Sequence, residues 1–542
     1  MTSLDARAEI LIVGGGLGGV AAAITAISLG RTVIITTQGP WLGGQLTSQA
    51  VPPDESAWVE TMSSSTYASL RETIRGIYSA QYPLSAFARR QEHLNPGLGS
   101  VSRVTHEPRV GALALETVLS PYLATGRLTV LRHRTPTAVH RDGRRILAVT
   151  VQNDLTGAQQ TLEGSVVIDA TELGDLLALG AFDFVTGSEA RSETGELHAP
   201  EYGDPLDQQA VSWCFAVEHR PGEDHTIDRP ASYSHWRDTH DPRWPGPQLS
   251  WIDVVPYTLE ERHHQIFSGS PASADAVEGD DFWHFRRVLG SRNFDRSIRD
   301  VTLVNWPQID YWERPLVGPG IGDQDRSAAL RGARDLSTAF LYWMQTDAPR
   351  PDGGTGYPGL RLRPDVVGSE DGFALEAYIR ESRRSRAIFT VTEAHIGREM
   401  RGSRPPELFD DTVGIGSYRI DLHPSTSGRT YVDIGCYPFQ IPLGALIPRD
   451  ADNLIPANKN IGTTHITNGA YRLHPVEWAI GEAAGALAST VLSTGESSEG
   501  VRARHLDDVQ AILTRRGVPL SWPDEIRASQ IEHDKVVNTD AA

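Results

Sequence analysis

Glu9–Thr37 reads EILIVGGGLGGVAAAITAISLGRTVIITT, and the order of residue types in it decides the fold. An apolar run, Ile10–Val13, meets the pattern Gly14-x-Gly16-x-x-Gly19. An alanine-rich helical stretch follows, and a second apolar run, Thr32–Ile35, closes the unit. Strand, tight turn, helix and second strand in this order make the unit that binds dinucleotides. The first glycine permits the turn, the second lets backbone approach a pyrophosphate, and the third lets helix pack on strand. The end of the second strand ordinarily carries an acidic residue for the adenosine ribose. Here it reads Thr36-Thr37-Gln38, so Thr37 or Gln38 offers a neutral hydrogen bond, weaker than one to a carboxylate.

Working outward, Gly39–Glu55 reads GPWLGGQLTSQAVPPDE and places a second permissive loop, Gly43-Gly44-Gln45, close to the first glycine turn. With this segment and Lys459–Gly469, KNIGTTHITNG, the chain resembles FAD-dependent oxidoreductases of the glutathione-reductase-like two-dinucleotide-fold superfamily. More narrowly it resembles a bacterial group that carries both motifs. The resemblance implies FAD as cofactor and an α/β fold: a discontinuous Rossmann-like FAD-binding domain, with a parallel sheet and a β-meander, into which an α+β substrate or cap domain is inserted. The expected boundaries are 1–55, 105–185 and 431–495 for the FAD domain, 56–104 and 186–430 for the cap, and 496–542 for a C-terminal helix and polar tail. By the same resemblance, Gly14, Gly16 and Gly19 hold the pyrophosphate, and Gly43, Gly44 and Gln45 line the ribityl chain and flavin.

Two further stretches return to that site. Val166–Gly180, VVIDATELGDLLALG, reads as a strand whose end, Ala170-Thr171, passes the cofactor in the resembled superfamily, with Glu172 where glycine is usual. Asn453–Ser489 reads as strand, polar loop and a helix rich in Ala and Gly that starts near Pro475, a residue suited to a first helical turn. Such a helix approaches other backbones closely and aims unpaired N–H groups at a ligand. The resemblance puts Lys459 where a ribityl-binding Asp is usual, and Asn460, Gly462, Asn468 and Pro475 around the cofactor. In the polar loop His465 is the expected proton acceptor, since imidazole titrates near ~6.5. Asn468 and Arg472 are expected to orient a substrate oxygen or the flavin carbonyl.

The remainder is less regular. Leu128–Gln152 alternates around Arg141-Asp142-Gly143, a hairpin signal. His106-Glu107-Pro108-Arg109 reads as a helix start that pairs its own charges. In 186–430, Tyr342 and Tyr357 are candidates to stack a ring-shaped substrate, beside Trp343. Arg380, in a basic stretch read as a helix face, and His423 are candidates to bind a polar one. Gly414-x-Gly416 lacks the third glycine and helix of a second nucleotide motif.

Composition narrows the function class. The net charge is -19, which disfavours a general nucleic-acid binder and with it a tRNA-modifying flavoprotein. No long apolar run spans a membrane, and the N-terminal run leads straight into the glycine turn, as a first strand does and a signal peptide does not. Two cysteines, Cys214 and Cys436, exclude a disulfide framework and fit a cytoplasmic setting; no cluster has metal-ligand spacing. The expectation is an FAD-dependent oxidase or dehydrogenase. It takes two electrons from a CH–OH or CH–NH bond of a small polar metabolite, and O2 or another acceptor reoxidises it; a homodimer is compatible. The alternative is an NAD(P)H-using flavin monooxygenase or reductase.

Overall fold

The computed structural model describes residues 6–267, 281–295 and 297–527; the polar tail expected beyond 527 lies outside them. The opening stretch folds as read. Strand β1 (Ala6–Val13) leads through the glycine turn into helix α1 (Leu17–Ser28) and strand β2 (Val33–Thr37). β1 pairs in parallel with β2, Ile10 opposite Val33. Alternate residues face opposite sides, as the pleat requires. Ile10 and Ile12 enter one core, while Leu11 and Val13 enter another on the far face of the sheet. Both faces are covered, which is why the strand reads as an unbroken apolar run.

Two helices, α2 (Val59–Met62) and α3 (Ser65–Gln81), follow. Tyr67, Leu70, Ile74 and Tyr78 of α3 are buried in the same core as α1. Helix α4 (Pro108–Ala124) begins at the proline read as a helix start. There Arg109 Nε donates to Glu107 Oε1 at 2.9 Å, the self-paired arrangement expected of that segment. Strand β3 (Leu128–Arg132) joins β2 in parallel; β4 (Arg134–Asp142) and β5 (Arg145–Asn153) form the hairpin turned at Gly143; β6 (Gln159–Asp169) returns beside β1. The sheet order is β3-β2-β1-β6-β5-β4, and the late strand Leu454–Pro456 adds to β6 in parallel. The fold is therefore mixed α/β, a parallel sheet continued by an antiparallel meander.

A second core gathers residues between 173 and 377, with Phe215, Trp251, Trp306, Phe340 and Trp343 buried at its centre. Its four-stranded antiparallel sheet runs in the order Arg287–Leu289, Val301–Val304, Phe215–His219, Leu360–Leu362, and the helix Asp323–Thr346 packs on it.

The helix His474–Thr494 closes the first core against α1. A Cβ on Gly481 would stand 2.1 Å from Gly18 O, and one on Gly485 2.5 Å from Ala22 O. The small residues of this helix thus serve a backbone-to-backbone crossing. Gly18 is equally constrained, since a Cβ there would lie 1.7 Å from Ala457 O.

Two sequence expectations change here. The polar loop of 457–473 contains a helix, His465–Tyr471, capped by Thr464, whose side chain accepts from Thr467 N–H at 3.1 Å. The basic stretch Tyr378–Arg386 is extended and buried, not a helix face. Tyr378 pairs with Ser212, and Arg384–Ser385 forms a short antiparallel ladder with Phe184–Val185. Tertiary pairing overrides the spacing of its charges.

Candidate active site

The carboxyl ends of the parallel strands open into one crevice. Gly14–Gly16 follow β1, Thr37 and Gln38 end β2, Ala170–Glu172 follow β6, and Arg134 and Pro136 come from β4. Gly44 of the second glycine loop and Ser48 just beyond it form the opposite lip with Glu376, distant in sequence, enclosing about 390 Å³ of space. A crevice at strand carboxyl ends is where open α/β sheets bind ligands. The glycines are obligatory. A Cβ on Gly14, whose φ is 103°, would stand 2.1 Å from Ala170 O, and Gly43 N–H donates to Gly15 O at 2.7 Å, tying the two loops together.

One buried charge cluster sits behind the crevice. Lys459, one of only two lysines in the chain, is 3% exposed, and its Nζ lies 2.5 Å from Glu172 Oε2. Burial opposes its charge, but Glu172 and Glu477 outweigh that and raise its pKa. Glu477, in the first turn of the His474–Thr494 helix, accepts from Gly18 N–H at 3.0 Å and from Gln45 Nε2 at 2.5 Å. Burial pushes Glu477 up. Gln45 also donates to Arg472 O at 3.1 Å. Asp169, fully buried at the end of β6, is pushed up to about 7 by burial although Thr171 N–H and Oγ1 both donate to it.

The residues present fit FAD. Backbone N–H groups at the start of α1, the Arg134 guanidinium and the Gln38 amide supply donors for phosphates and ribose, while the Thr37 hydroxyl donates to Trp41 O at 3.1 Å and the Lys459 ammonium is held behind the crevice by Glu172. The departures read from the sequence form a pair. Glu172, in place of a glycine, is the partner of Lys459, in place of an aspartate, so two unusual residues answer one another across the site. Asn460 and Gly462 serve the turn instead. Asn460 Nδ2 donates to Asp169 O at 3.0 Å, and a Cβ on Gly462 would meet Phe389 O at 2.5 Å. Gly19 packs α1 on Gly14, where a Cβ would stand 2.5 Å from Gly14 O. Pro475 lines a separate apolar recess with Val476 and Trp522.

The residues given catalytic roles are all buried. His465 opens its short helix and meets two glutamates: its N–H donates to Glu189 Oε2 at 2.9 Å, and its Nδ1 lies 2.8 Å from Glu381 Oε1. Arg384 holds Glu381 in turn. Asn468 Nδ2 donates to Arg380 O at 3.1 Å. Arg472 donates to Tyr378 Oη at 2.6 Å and to Asp421 Oδ2 at 2.9 Å.

Beside Arg472 lies a cluster of buried polar groups that no local sequence pattern announces. His474, 0% exposed, accepts from Asp54 N–H at its Nδ1 at 3.2 Å. With Nδ1 accepting, the hydrogen of the neutral ring falls on Nε2, which is buried and makes no hydrogen bond, with the Val51 backbone beside the ring. Burial, with Arg286 nearby, holds His474 well below its ordinary range and therefore neutral. Arg286 faces Asp54 at 3.5 Å, and its Nε and Nη1 make no hydrogen bond. Tyr378 and Tyr418 border the same guanidinium. Asp54 lies in the quoted PPDE segment and is legible there as a polar residue after two prolines; Arg286, Tyr418 and Asp421 carry no local signal.

Substrate candidates from 186–430 divide. Arg380 is locked, its guanidinium 3.0 Å from Asp310 Oδ1 and donating to Ala210 O at 2.8 Å. His423 Nδ1 lies 2.6 Å from Asp310 Oδ2, and its Nε2 faces Asp421 at 3.7 Å. Both thus extend the ion network that ends at Arg472. Tyr342 and Tyr357 stand in the second core: Tyr342 meets Tyr233 edge-on at 4.7 Å, and Tyr357 meets Phe267 at 5.6 Å. Among the described residues no cluster has metal-binding composition, and no helix is long and apolar enough to cross a membrane.

Comparison with known proteins bears on this site. No curated protein matches the chain. Among solved structures it is similar to the OxyS anhydrotetracycline hydroxylase from Streptomyces rimosus, at 11% identity over 94% of this chain and 70% of that one, TM-score 0.32. It is also similar to the FAD-complexed glycerol-3-phosphate dehydrogenase from Bacillus halodurans, at 13% identity over 39% and 40%, TM-score 0.24. A third is CabE, an aromatic hydroxylase from angucycline biosynthesis, at 16% identity over 41% and 40%, TM-score 0.22. In the last two the match spans about two fifths of the solved chain, and at these TM-scores none of the three decides an activity. The family comparison is decisive: the FAD-dependent oxidoreductase family matches residues 9–513, almost the whole length, and the chain belongs to that family.

Proposed function

We propose that this FAD-dependent oxidoreductase oxidises a CH–OH or CH–NH bond of a small polar metabolite, with O2 or another acceptor taking the electrons. Bound flavin supplies the hydride acceptor. The observation that supports the reading is the buried polar cluster beside Arg472, where His474 Nε2 and the Nε and Nη1 of Arg286 make no hydrogen bond and Asp54 stands 3.5 Å from the guanidinium. Unsatisfied buried donors are costly and call for a polar ligand. His474 and Arg286 orient the substrate oxygen or nitrogen. His465 accepts the proton through Nε2, its Nδ1 being turned to Glu381 Oε1 at 2.8 Å.

The test is anaerobic mixing of the yellow protein with a panel of sugars, cyclitols, amines and hydroxy acids. One class is expected to bleach the flavin. Bleaching by NADPH and by none of the panel would sink the reading in favour of a monooxygenase or reductase. Once a substrate is found, His465→Asn, which retains a donor toward Glu381 but no base, is expected to lower kcat about 100-fold or more at full FAD occupancy.

A further inference from the structure

The sequence leaves one acceptor unaccounted for. β2 ends in Thr37 and Gln38, where a carboxylate for the adenosine ribose is usual. The structure brings a carboxylate to that place from more than 300 residues further along the chain. Glu376 lines the crevice together with Thr37, Gln38, Arg134 and Pro136. Its Oε1 lies 2.5 Å from where a Cβ on Gly39, the residue after Gln38, would stand. A larger residue at 39 would push the carboxylate out of this position.

The glutamate is held, not loose. Glu376 N–H donates to Ser48 O at 2.9 Å, and Ser48 Oγ donates to Glu376 Oε2, also at 2.9 Å. That contact fixes one carboxylate oxygen and leaves Oε1 toward Gly39 with no protein donor among the described residues. Burial raises the pKa of this carboxyl to about 7, with Glu172 adding to the rise, so no protein cation compensates it. A carboxylate accepts only, and a phosphate offers it nothing. The neighbouring hydroxyl pair of a ribose offers two donors and relieves its burial.

We infer that Glu376 is the ribose-binding carboxylate of this protein, supplied from a segment distant in sequence to the β2 terminus that lacks one. The inference is independent of which substrate is oxidised. Its experiment reads affinity, by titrating FAD and FMN into full-length protein stripped of flavin. Glu376→Gln preserves volume and the Ser48 contact. It is expected to weaken FAD about tenfold or more, the worth of a charge-assisted hydrogen bond, and to leave FMN, which has no adenosine, unchanged. Gln38→Glu in the Glu376→Gln background is expected to restore FAD affinity by returning the carboxylate to its usual position. In the wild-type chain, FAD lacking both adenosine ribose hydroxyls is expected to bind at least tenfold more weakly than FAD; this arm stands even if the variant does not fold. Equal binding of FAD and its dideoxy analogue, or equal loss of FAD and FMN affinity in Glu376→Gln, would overturn the assignment.

Discussion

The crevice and the buried polar cluster around Arg472 and His474 are built on opposite electrostatic plans. In and behind the crevice, carboxyls are undercompensated: burial pushes Asp169 and Glu376 up to about 7 and also raises Glu477. In the cluster they are overcompensated. Against the cost of burial, Arg380 and His423 hold Asp310 below its ordinary range, and His423 and Arg472 hold Asp421 well below it. The crevice combines backbone N–H groups, glycine and Arg134, which suit phosphates, with the Glu376 carboxyl, which suits a hydroxyl donor. The cluster is a finished ion network whose spare groups are donors, His474 Nε2 and the Nε and Nη1 of Arg286. What differs is where recognition is stored: in main-chain shape on one side, in paired side chains on the other.

If that contrast is right, the largest single effect comes from one methyl group on the crevice side. A Cβ at Gly18 would lie 1.7 Å from Ala457 O, a backbone atom that cannot turn away. Gly18→Ala is therefore expected to cost about 3 kcal/mol or more, the upper range of overpacking, and to release FAD. Thermal melting with flavin fluorescence measures both. A variant that melts within 2 °C of wild type with full FAD occupancy would show that the α1 crossing relaxes, and the contrast with the polar cluster would lose its basis.

The same contrast explains what could be read in advance. Gly14, Gly16, Gly19 and Gly43–Gly44 were legible because backbone demands write themselves into sequence as glycine at fixed spacing. The hairpin at Gly143 and the helix start at Pro108 were legible for like reasons. The cluster around His474 was not, because Asp54, Arg286, Tyr418 and His474 are spread over 420 residues of sequence, and nothing local distinguishes Arg286 from the arginine beside it. Thr464-x-x-Thr467 did carry a capping signal for the short helix, obscured by its polar composition. Tyr342 and Tyr357 were read as a stacking site although large rings at helical spacing or beside a strand belong by default to a core. Glu376 illustrates the limit: its role depends on what faces Gly39, which only the folded chain displays.

A middling effect separates the two charge plans by pH. Asp169 holds its proton to about pH 7 when folded but only to about 3.8 when unfolded. Between those values the folded state binds the extra proton, so stability falls as pH rises. Asp310 and Asp421 are shifted the other way, so their contribution is present above the unfolded carboxylate value and lost as pH falls below it. The flavin-free protein is thus expected to be most stable in mildly acidic solution and to lose about 2 kcal/mol from Asp169 alone between pH 5.5 and 8. Denaturant melts of Asp169→Asn at the two pH values are expected to show that loss reduced by a comparable amount. An unchanged difference would mean that Asp169 is ionised in the fold.

The smallest effect is confined to turnover. Arg286 meets Asp54 only at 3.5 Å, and its Nε and Nη1 make no hydrogen bond, so little of the fold depends on its hydrogen bonds. Arg380, by contrast, holds Asp310 at 3.0 Å and is 2% exposed. Arg286→Met keeps the apolar stem and removes the charge. It is expected to lower kcat/KM at least tenfold, the loss of one charged hydrogen bond to substrate, with FAD content and melting temperature near wild type. Arg380→Met leaves Asp310 uncompensated in the interior and is expected to lower stability first, with activity falling as a consequence. If the two variants behave alike, both losing stability or both sparing it, then Arg286 is one more strut of the network, and the substrate's polar group has to be met by His474 alone.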